Sequence, residues 1–365
     1  MKRLKIVNVV GARPNFMKIA PIHAEMQRFP EIDAFLLHTG QHYDHTMSTL
    51  FFENLGLPEP HFYLGVGSGD HGAQTGRVMI EFEAVLKDLD PDIVVVVGDV
   101  NSTIACALVA GKMGCKVAHV EAGLRSFDRT MPEEINRLLT DQISDYLFTT
   151  EPSARSNLQR EGIPEHKIFF VGNVMIDSLL CHRRRAAGRP VLAELGIEAR
   201  TYVLVTLHRP SNVDDPIRLG NLIEVLCAIS EQATVIFPAH PRTRRNLAEF
   251  GYESSVRSCP NLRLTEPLEY LDFLKCMDNA SLVVTDSGGI QEETTVLGVP
   301  CLTARENTER PVTVTHGTNV LVGLDPECLL SEARKVLQGH GKVGNCPELW
   351  DGKASERIVR VLRTS

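Results

Sequence analysis

Short runs of β-branched apolar residues, each followed by a longer stretch of helical periodicity, recur along the whole chain. The clearest is I-V-V-V-V at 93–97, too apolar to face water on either side. Strands covered on both faces belong to parallel sheets, and parallel strands are joined by helical crossovers. The alternation therefore predicts a doubly wound α/β architecture. In the first half the spacing predicts strands at 4–10, 34–38, 93–97, 116–120, 146–149 and 168–171. Helices are expected near 18–29, 45–55, 72–88, 102–113, 133–143 and 152–161. A second series predicts strands near 202–207, 234–237, 262–264, 282–285 and 299–302. Between the two series, G-N-V-M-I-D (172–177) leads into R-R-R-A-A-G-R-P, basic and broken by Gly and Pro. Two Rossmann-like domains are expected, residues 1–172 and 173–353, with an amphipathic helix at 354–365 rejoining the first. At 365 residues the chain is long enough for both. Such pairs bind ligand in the cleft between domains.

The net charge of −8 and the lack of a basic run argue against nucleic acid or an anionic membrane as partner. No apolar run approaches the ~18–20 residues that cross a bilayer. The start, M-K-R-L-K-I-V-N-V-V-G, reads as a first strand and not a signal peptide, because it turns at Gly11. The nine cysteines form no C-x-x-C pair and no zinc-like spacing with histidine, so no metal is expected. Most, among them Cys106, Cys115, Cys227, Cys276 and Cys301, lie in apolar segments, where a free thiol behaves as a small hydrophobe. That pattern suits a reducing cytosol and a cytoplasmic protein.

Carboxylates at the ends of buried strands are the strongest chemical signal. Asp99 follows the 93–97 run in G-D-V-N-S-T, and Glu121 ends the next one in H-V-E-A-G-L-R-S. In open parallel sheets the carboxyl ends of strands line the ligand crevice, and carboxylates there are candidate acid–base groups. Asn101 or Ser102 reads equally as a helix cap with Asp99 just upstream. Glu121 is costly where it stands unless paired, and Arg125 or His119 are the neighbours able to pair it. Glu134, in P-E-E-I-N-R, fits the first turn of a helix, where acid favours the macrodipole, and on local pattern alone it is helix decoration.

Ligand-binding signals sit at other strand ends. G-A-R-P-N-F-M-K presents a helix N-terminus after the first strand, and Arg13 and Lys18 could meet phosphate or carboxylate there. T-L-H-R-P-S-N and F-P-A-H-P-R-T-R-R each place a histidine, His208 and His240, directly after a strand. In L-V-V-T-D-S-G-G-I-Q-E-E-T a strand ends at Asp286, and Ser287, Gly288 and Gly289 open a helix. The glycines let a pyrophosphate approach backbone amides, and Glu292 or Glu293 could accept hydrogen bonds from ribose hydroxyls.

Taken in order, these motifs, with T-G-Q-H-Y-D and N-T-E-R-P, closely resemble the non-hydrolysing UDP-N-acetylglucosamine 2-epimerases over nearly the whole chain. The resemblance implies the two-domain GT-B fold and interconversion of UDP-GlcNAc and UDP-ManNAc for cell-surface polysaccharide. It implies elimination of UDP to a 2-acetamidoglucal and re-addition with the proton delivered to the other face of C2. By motif match, Asp99, Glu121 and Glu134 are the acid–base set, and His208 steadies the departing diphosphate. Arg13, Lys18, Ser287, Gly288, Gly289 and Arg310 match ligand contacts, Glu293 a ribose contact and Phe273 a uracil-side position. No metal or nicotinamide is implied, and a homodimer is the expected assembly. Some bacterial relatives take a second UDP-GlcNAc near a Gln-His pair matching Gln41 and His42, but Tyr43-Asp44-His45 beyond it differ from that subgroup. V-G-D-V-N-S-T also stands where many bacterial members have H-G-D-T-T-T, and Leu268 stands where some carry Gln.

A sister epimerase acting on a UDP-2,3-diacetamido-uronic acid shares G-A-R-P-x-F-x-K, T-G-Q-H and S-F-D-R-T-M-P-E-E-I-N-R, and is the close rival. T-E-R-P with Arg310 favours the neutral sugar. A GT-B glycosyltransferase would share the Ser-Gly-Gly cradle without needing carboxylates around C2. A nucleotide-sugar sensor would not need them either.

Overall fold

Every side chain of β4 (Ile93–Val97) is buried, as its four valines require. The strand lies at the centre of a parallel sheet of order β3-β2-β1-β4-β5-β6-β7. Its partners are β1 (Leu4–Val10), β2 (Ile32–His38), β3 (Phe62–Tyr63), β5 (Lys116–Ala122), β6 (Tyr146–Thr149) and β7 (Ile168–Phe170). The computed structural model describes residues 3–41 and 56–364, with Arg13 described in its backbone only. His42 and the helix expected at 45–55 lie outside the described residues.

Strand β1 pairs with β2 from Leu4↔Ile32 and with β4 from Ile6↔Ile93, so the chain order reverses between β1 and β4. That reversal is the switch point where doubly wound sheets open a crevice beyond their strand ends. Helix His71–Leu89 covers one face by burying Gln74, Val78, Phe82 and Leu86, a strict i, i+4 stripe. Val78, Phe82 and Leu86 form one core with Val7, Val9, Val94 and Val96.

A second parallel sheet has the order β10-β9-β8-β11-β12-β13. Its strands are β8 (Tyr202–Thr206), β9 (Thr234–Pro238), β10 (Leu262–Thr265), β11 (Leu282–Thr285), β12 (Cys301–Thr303) and β13 (Asn319–Leu321). The switch point here lies between β8 and β11. Strands β3 and β13 escape the sequence pattern because two or three residues are too few to show a period.

The chain divides into two compact units, Met1–Ser178 with Glu348–Ser365, and Leu179–Pro347. The division falls inside helix Val174–Ala187 and not at residue 172. The start of that helix is tied to the returning C-terminal segment. Buried Asp177 accepts the amides of Ala354 (3.1 Å) and Ser355 (2.7 Å), and so starts helix Ala354–Arg363. Ile358, Val359 and Leu362 on that helix are fully buried. Trp350 precedes it, and its indole N–H donates to the Thr150 carbonyl at 2.9 Å. This contact brings the return point forward to Glu348.

One cysteine expectation is overturned. Cys227 is not a free small hydrophobe but is disulfide-bonded to Cys259, with Cα atoms 5.5 Å apart. Helix Pro216–Ser230 carries Cys227, and helix Glu253–Ser258 ends just before Cys259, so packing of the two helices brings the thiols together. Thirty-two residues of sequence separation hide this pairing from any local pattern. Alkylating the unfolded protein without reductant is therefore expected to label seven thiols, and nine with it. Reduction should also lower the melting temperature, since closing a loop of this length stabilises by roughly 3–4 kcal/mol on the chain-entropy account.

Candidate active site

In the first unit the chemistry gathers where β1, β4 and β5 end. Asn15, at the start of helix Arg13–Met26, accepts the amides of Gly11 and Ala12 (3.2 and 2.9 Å). Its own amide donates to the Val97 carbonyl (3.1 Å), so the turn after β1 is fastened to the end of β4. Gly98 then takes a left-handed φ of 66°, and Asp99 follows.

Asp99 Oδ2 accepts from Arg137 Nε (3.0 Å) and Nη2 (2.7 Å). The same guanidinium donates through Nη1 to Glu134 (2.5 Å). Glu134 also accepts from the Ser126 amide and hydroxyl (both 2.9 Å) and the Phe127 amide (3.0 Å), and it is 1% exposed. Glu134 is therefore no helix decoration. It is buried, and one arginine joins it to Asp99. Sequence reasoning missed Arg137, although its i, i+3 spacing from Glu134 in P-E-E-I-N-R was the available signal.

Glu121 sits at an irregularity in the β5–β6 pairing with φ of 70°, a left-handed conformation that a side chain adopts only under constraint. Its buried carboxylate lies 2.5 Å from Lys18 Nζ. Lys18, not His119 or Arg125, is thus its cation. Both of those side chains bond to Asp141 instead. A Cβ placed on Gly98 would stand 3.3 Å from Lys18 Nζ, so the Lys18–Glu121 pair lies beside the turn that carries Asp99.

The capping expected of Asn101 and Ser102 does not occur. Helix Asn101–Lys112 begins after Val100, which has no side-chain cap. Asn101 donates to Gln74 (2.9 Å), and Gln41 Oε1 accepts the Ser102 amide and hydroxyl (3.2 and 2.7 Å). Gln41 is buried and serves that helix start. The Arg13 side chain is not among the described parts.

In the second unit the corresponding strand ends are those of β8 and β11. Asp286 is fully buried and accepts the amides of His208 (3.0 Å) and Arg209 (2.9 Å) and the Asn212 side chain (3.0 Å). His208 Nδ1 lies 2.9 Å from its Oδ1. Burial pushes Asp286 up, but His208 and these donors hold it below the usual carboxylate range. Nδ1 is occupied by Asp286, so Nε2 is the nitrogen of His208 left for a ligand. The His240 ring centroid lies 6.2 Å from that of His208. Burial first, then His208 and Arg242, lowers its pKa.

Ser287, Gly288 and Gly289 open helix Gly288–Leu297. A Cβ on Gly288 would come within 2.6 Å of Arg310 Nη1, so glycine is needed for the arginine to lie against the helix start. Arg310 is held by Glu292 (2.8 Å) and Glu309 (2.5 Å). Arg305 also bonds to Glu309 (2.8 Å). Neither Glu309 nor Arg305 was picked out from the sequence, since only the fold brings R-E-N-T-E-R against the Ser-Gly-Gly turn. Glu293 accepts from the Tyr270 hydroxyl (3.1 Å). Burial, opposed by Tyr270 and reinforced by Glu292, raises it to about 7. Phe273 is half-buried on helix Tyr270–Asp278.

Two Rossmann-like units, one with acids at its strand ends and one with a glycine-opened helix beside an arginine, define a nucleotide-sugar enzyme of the GT-B class. A family model described as UDP-N-acetylglucosamine 2-epimerase matches residues 24–363. The UDP-N-acetylglucosamine 2-epimerase of Methanocaldococcus jannaschii is 46% identical, over 98% of this chain and 99% of that one. The UDP-2,3-diacetamido-2,3-dideoxy-D-glucuronate 2-epimerase of Pseudomonas aeruginosa is 41% identical over 98% and 99%. The crystal structure of the Methanocaldococcus enzyme in complex with UDP-GlcNAc and UDP superposes with a TM-score of 0.90, covering 99% of this chain and 100% of that one. The chain belongs to the UDP-N-acetylglucosamine 2-epimerase family and is an isomerase.

Two measurements test this geometry. A double-mutant cycle with Lys18→Met and Glu121→Gln, read by urea unfolding, should give a coupling of about 1–3 kcal/mol, as contacting buried charges do. Independence of the two changes would refute the pairing. Glu293 holds its proton to higher pH in the folded chain than its ordinary value of 4.5 allows. It therefore contributes a stability loss that begins above about 4.5 and is complete above about 7. Glu293→Gln should remove that fall, amounting to about 3 kcal/mol at most, when unfolding is compared at pH 5 and pH 8.

Proposed function

We propose that this chain interconverts UDP-GlcNAc and UDP-ManNAc by reversible elimination of UDP across C1–C2. The observation that carries the reading is the placing of Asp99 and Glu121 at neighbouring strand ends, with Glu134 on helix Pro132–Ile143 joined to Asp99 through Arg137 and Glu121 held by Lys18. A C2 proton beside an acetamide nitrogen is not acidic, so the C1–O bond must largely break as a base removes it. The C2–H pair becomes the C1=C2 bond, the C1–O pair leaves with the UDP phosphate oxygen, and the proton rests on a carboxylate. For re-addition UDP returns to C1, and an acid on the other face protonates C2. Epimerisation therefore needs proton-carrying groups on both faces, which a binding protein or a glycosyltransferase would not.

The second unit supplies the other half. The helix starting at Gly288 and Arg310 receive the diphosphate, His208 Nε2 steadies it as it departs, and Glu293 and Phe273 meet the ribose and uracil. Arg13 and, once substrate enters, Lys18 complete the contacts from the first unit. A homodimer, a cytosolic location and a role in cell-surface polysaccharide supply belong to the same reading. Gln41 and His42 as a second ligand site would require Gln41 to release Ser102. The uronic acid substrate is the second reading, on the strength of the Pseudomonas relative.

Incubation with UDP-GlcNAc in D2O without acceptor should yield UDP-ManNAc carrying deuterium at C2, seen by NMR and mass spectrometry, with label returning to UDP-GlcNAc. Unlabelled substrate would overturn the reading for this sugar, and label in the diacetamido-uronate would support the second. Asp99→Asn and Glu121→Gln should each lower turnover by roughly 10²–10⁴, the weight of a positioned acid or base. Near-normal turnover would remove that residue from the proton path.

A further inference from the structure

Behind the acids lies a second buried charge cluster. His119, on β5, is fully buried. Its Nε2 lies 2.8 Å from the Gly98 carbonyl and its Nδ1 2.7 Å from Asp141 Oδ1. Asp141 is also fully buried, and its other oxygen accepts the Gly123 amide (3.1 Å) and Arg125 Nη2 (2.6 Å). Arg125 continues to Glu161 at 2.6 Å. A carbonyl only accepts, and burial, which would push Asp141 up, is outweighed by His119 and then Arg125, which hold it ionised. Both ring nitrogens therefore face acceptors, and both must donate. The cluster balances, with His119 and Arg125 against Asp141 and Glu161.

What it grips is specific. Gly98 immediately precedes Asp99, and Gly123 lies two residues beyond Glu121. Both glycines have left-handed φ (66° and 79°), as does Glu121 itself (70°), so neither turn is held by backbone preference. Asp141 shares helix Pro132–Ile143 with Glu134 and Arg137. At i, i+3 and i+7 the three side chains lie on one face.

We propose that the His119–Asp141 pair is a positioning device for the acid–base groups: an imidazolium clamps the turn bearing Asp99, and its carboxylate partner clamps the turn beyond Glu121. The proposal rests on the catalytic reading of Asp99 and Glu121. Neither His119 nor Asp141 exchanges a proton with substrate. They set the spacing of the carboxylates that do.

Side-chain length provides the test. Glutamine at 119 carries its amide nitrogen near the position of Nε2 and can keep the Gly98 bond, whereas asparagine reaches only the Nδ1 position. His119→Asn should lower kcat about 10²-fold, the cost of misplacing a reacting group by about 1 Å, with KM and the calorimetric UDP affinity changed less than threefold. His119→Gln should recover at least tenfold of that loss. Misplaced acids should also complete elimination more often than re-addition, so free 2-acetamidoglucal per epimer formed should rise in His119→Asn and in Asp141→Asn. That ratio does not depend on the folded fraction. An unchanged ratio, or a kcat loss fully matched by lost UDP-binding sites, would overturn the proposal. If the wild-type enzyme showed no exchange with either sugar nucleotide, the proposed function would fall, and ¹⁵N spectra of labelled histidines would still judge the clamp. Protons on both nitrogens of His119, identified by loss of its signals in His119→Gln, support the clamp, and a bare nitrogen refutes it.

Discussion

A carboxylate at the end of an apolar strand is tolerated only when a counter-charge or a set of donors meets it there. Most of the local structure around the acids follows from this constraint. Glu121 is answered by Lys18, Asp99 and Glu134 share Arg137, and Asp286 is answered by His208 and two amides. Each answer fixes backbone as well as charge. Lys18 occupies the space where a side chain at 98 would project, which makes a left-handed glycine the natural residue ahead of Asp99. Glu134 gathers three donors from Ser126 and Phe127, and Phe127 accepts a φ of 59°. Strain of this kind persists only where surrounding bonds over-determine the conformation.

The apolar runs that read as strands are strands in the structure, because a fully buried parallel strand leaves a continuous hydrophobic signature. The run at 93–97 is the plainest case, and β3 and β13 are missed for want of length. The acids at strand ends were also legible, since their position is a property of the strand before them. Their partners were not. Lys18 and Glu121 are distant in sequence, and Arg125 and His119, the near neighbours, belong to Asp141. Ser102 and Asn101 looked like caps because capping residues are recognised locally, whereas Gln41 and Gln74 reach them only across the fold. Local pattern finds the charge, and tertiary structure decides what meets it.

The second unit applies the same constraint with a different result at one position. Glu292 and Glu309 have Arg310 between them. Glu293, one residue along the helix, meets the hydroxyl of Tyr270 instead of a cation, and burial carries it to about 7. Adjacent glutamates on one helix thus meet different surroundings because they point to different neighbours. A carboxyl that keeps its proton can donate as well as accept, whereas a salt-bridged carboxylate can only accept.

Helix Pro132–Ile143 shows how several such demands can be met by one element. Glu134, Arg137 and Asp141 lie on one of its faces, reaching in turn the 126–127 amides, Asp99, and the His119–Gly123 pair. Because successive residues turn by about 100° around a helix, a slip of one residue would break all three connections together. Pro132 at the first helical position restricts where the helix can start. The proline in M-P-E-E-I-N-R therefore bears on the placement of these side chains as much as any one of them does. It sets the register from which an acid, its bridging cation and the anchor of the opposite turn are all measured.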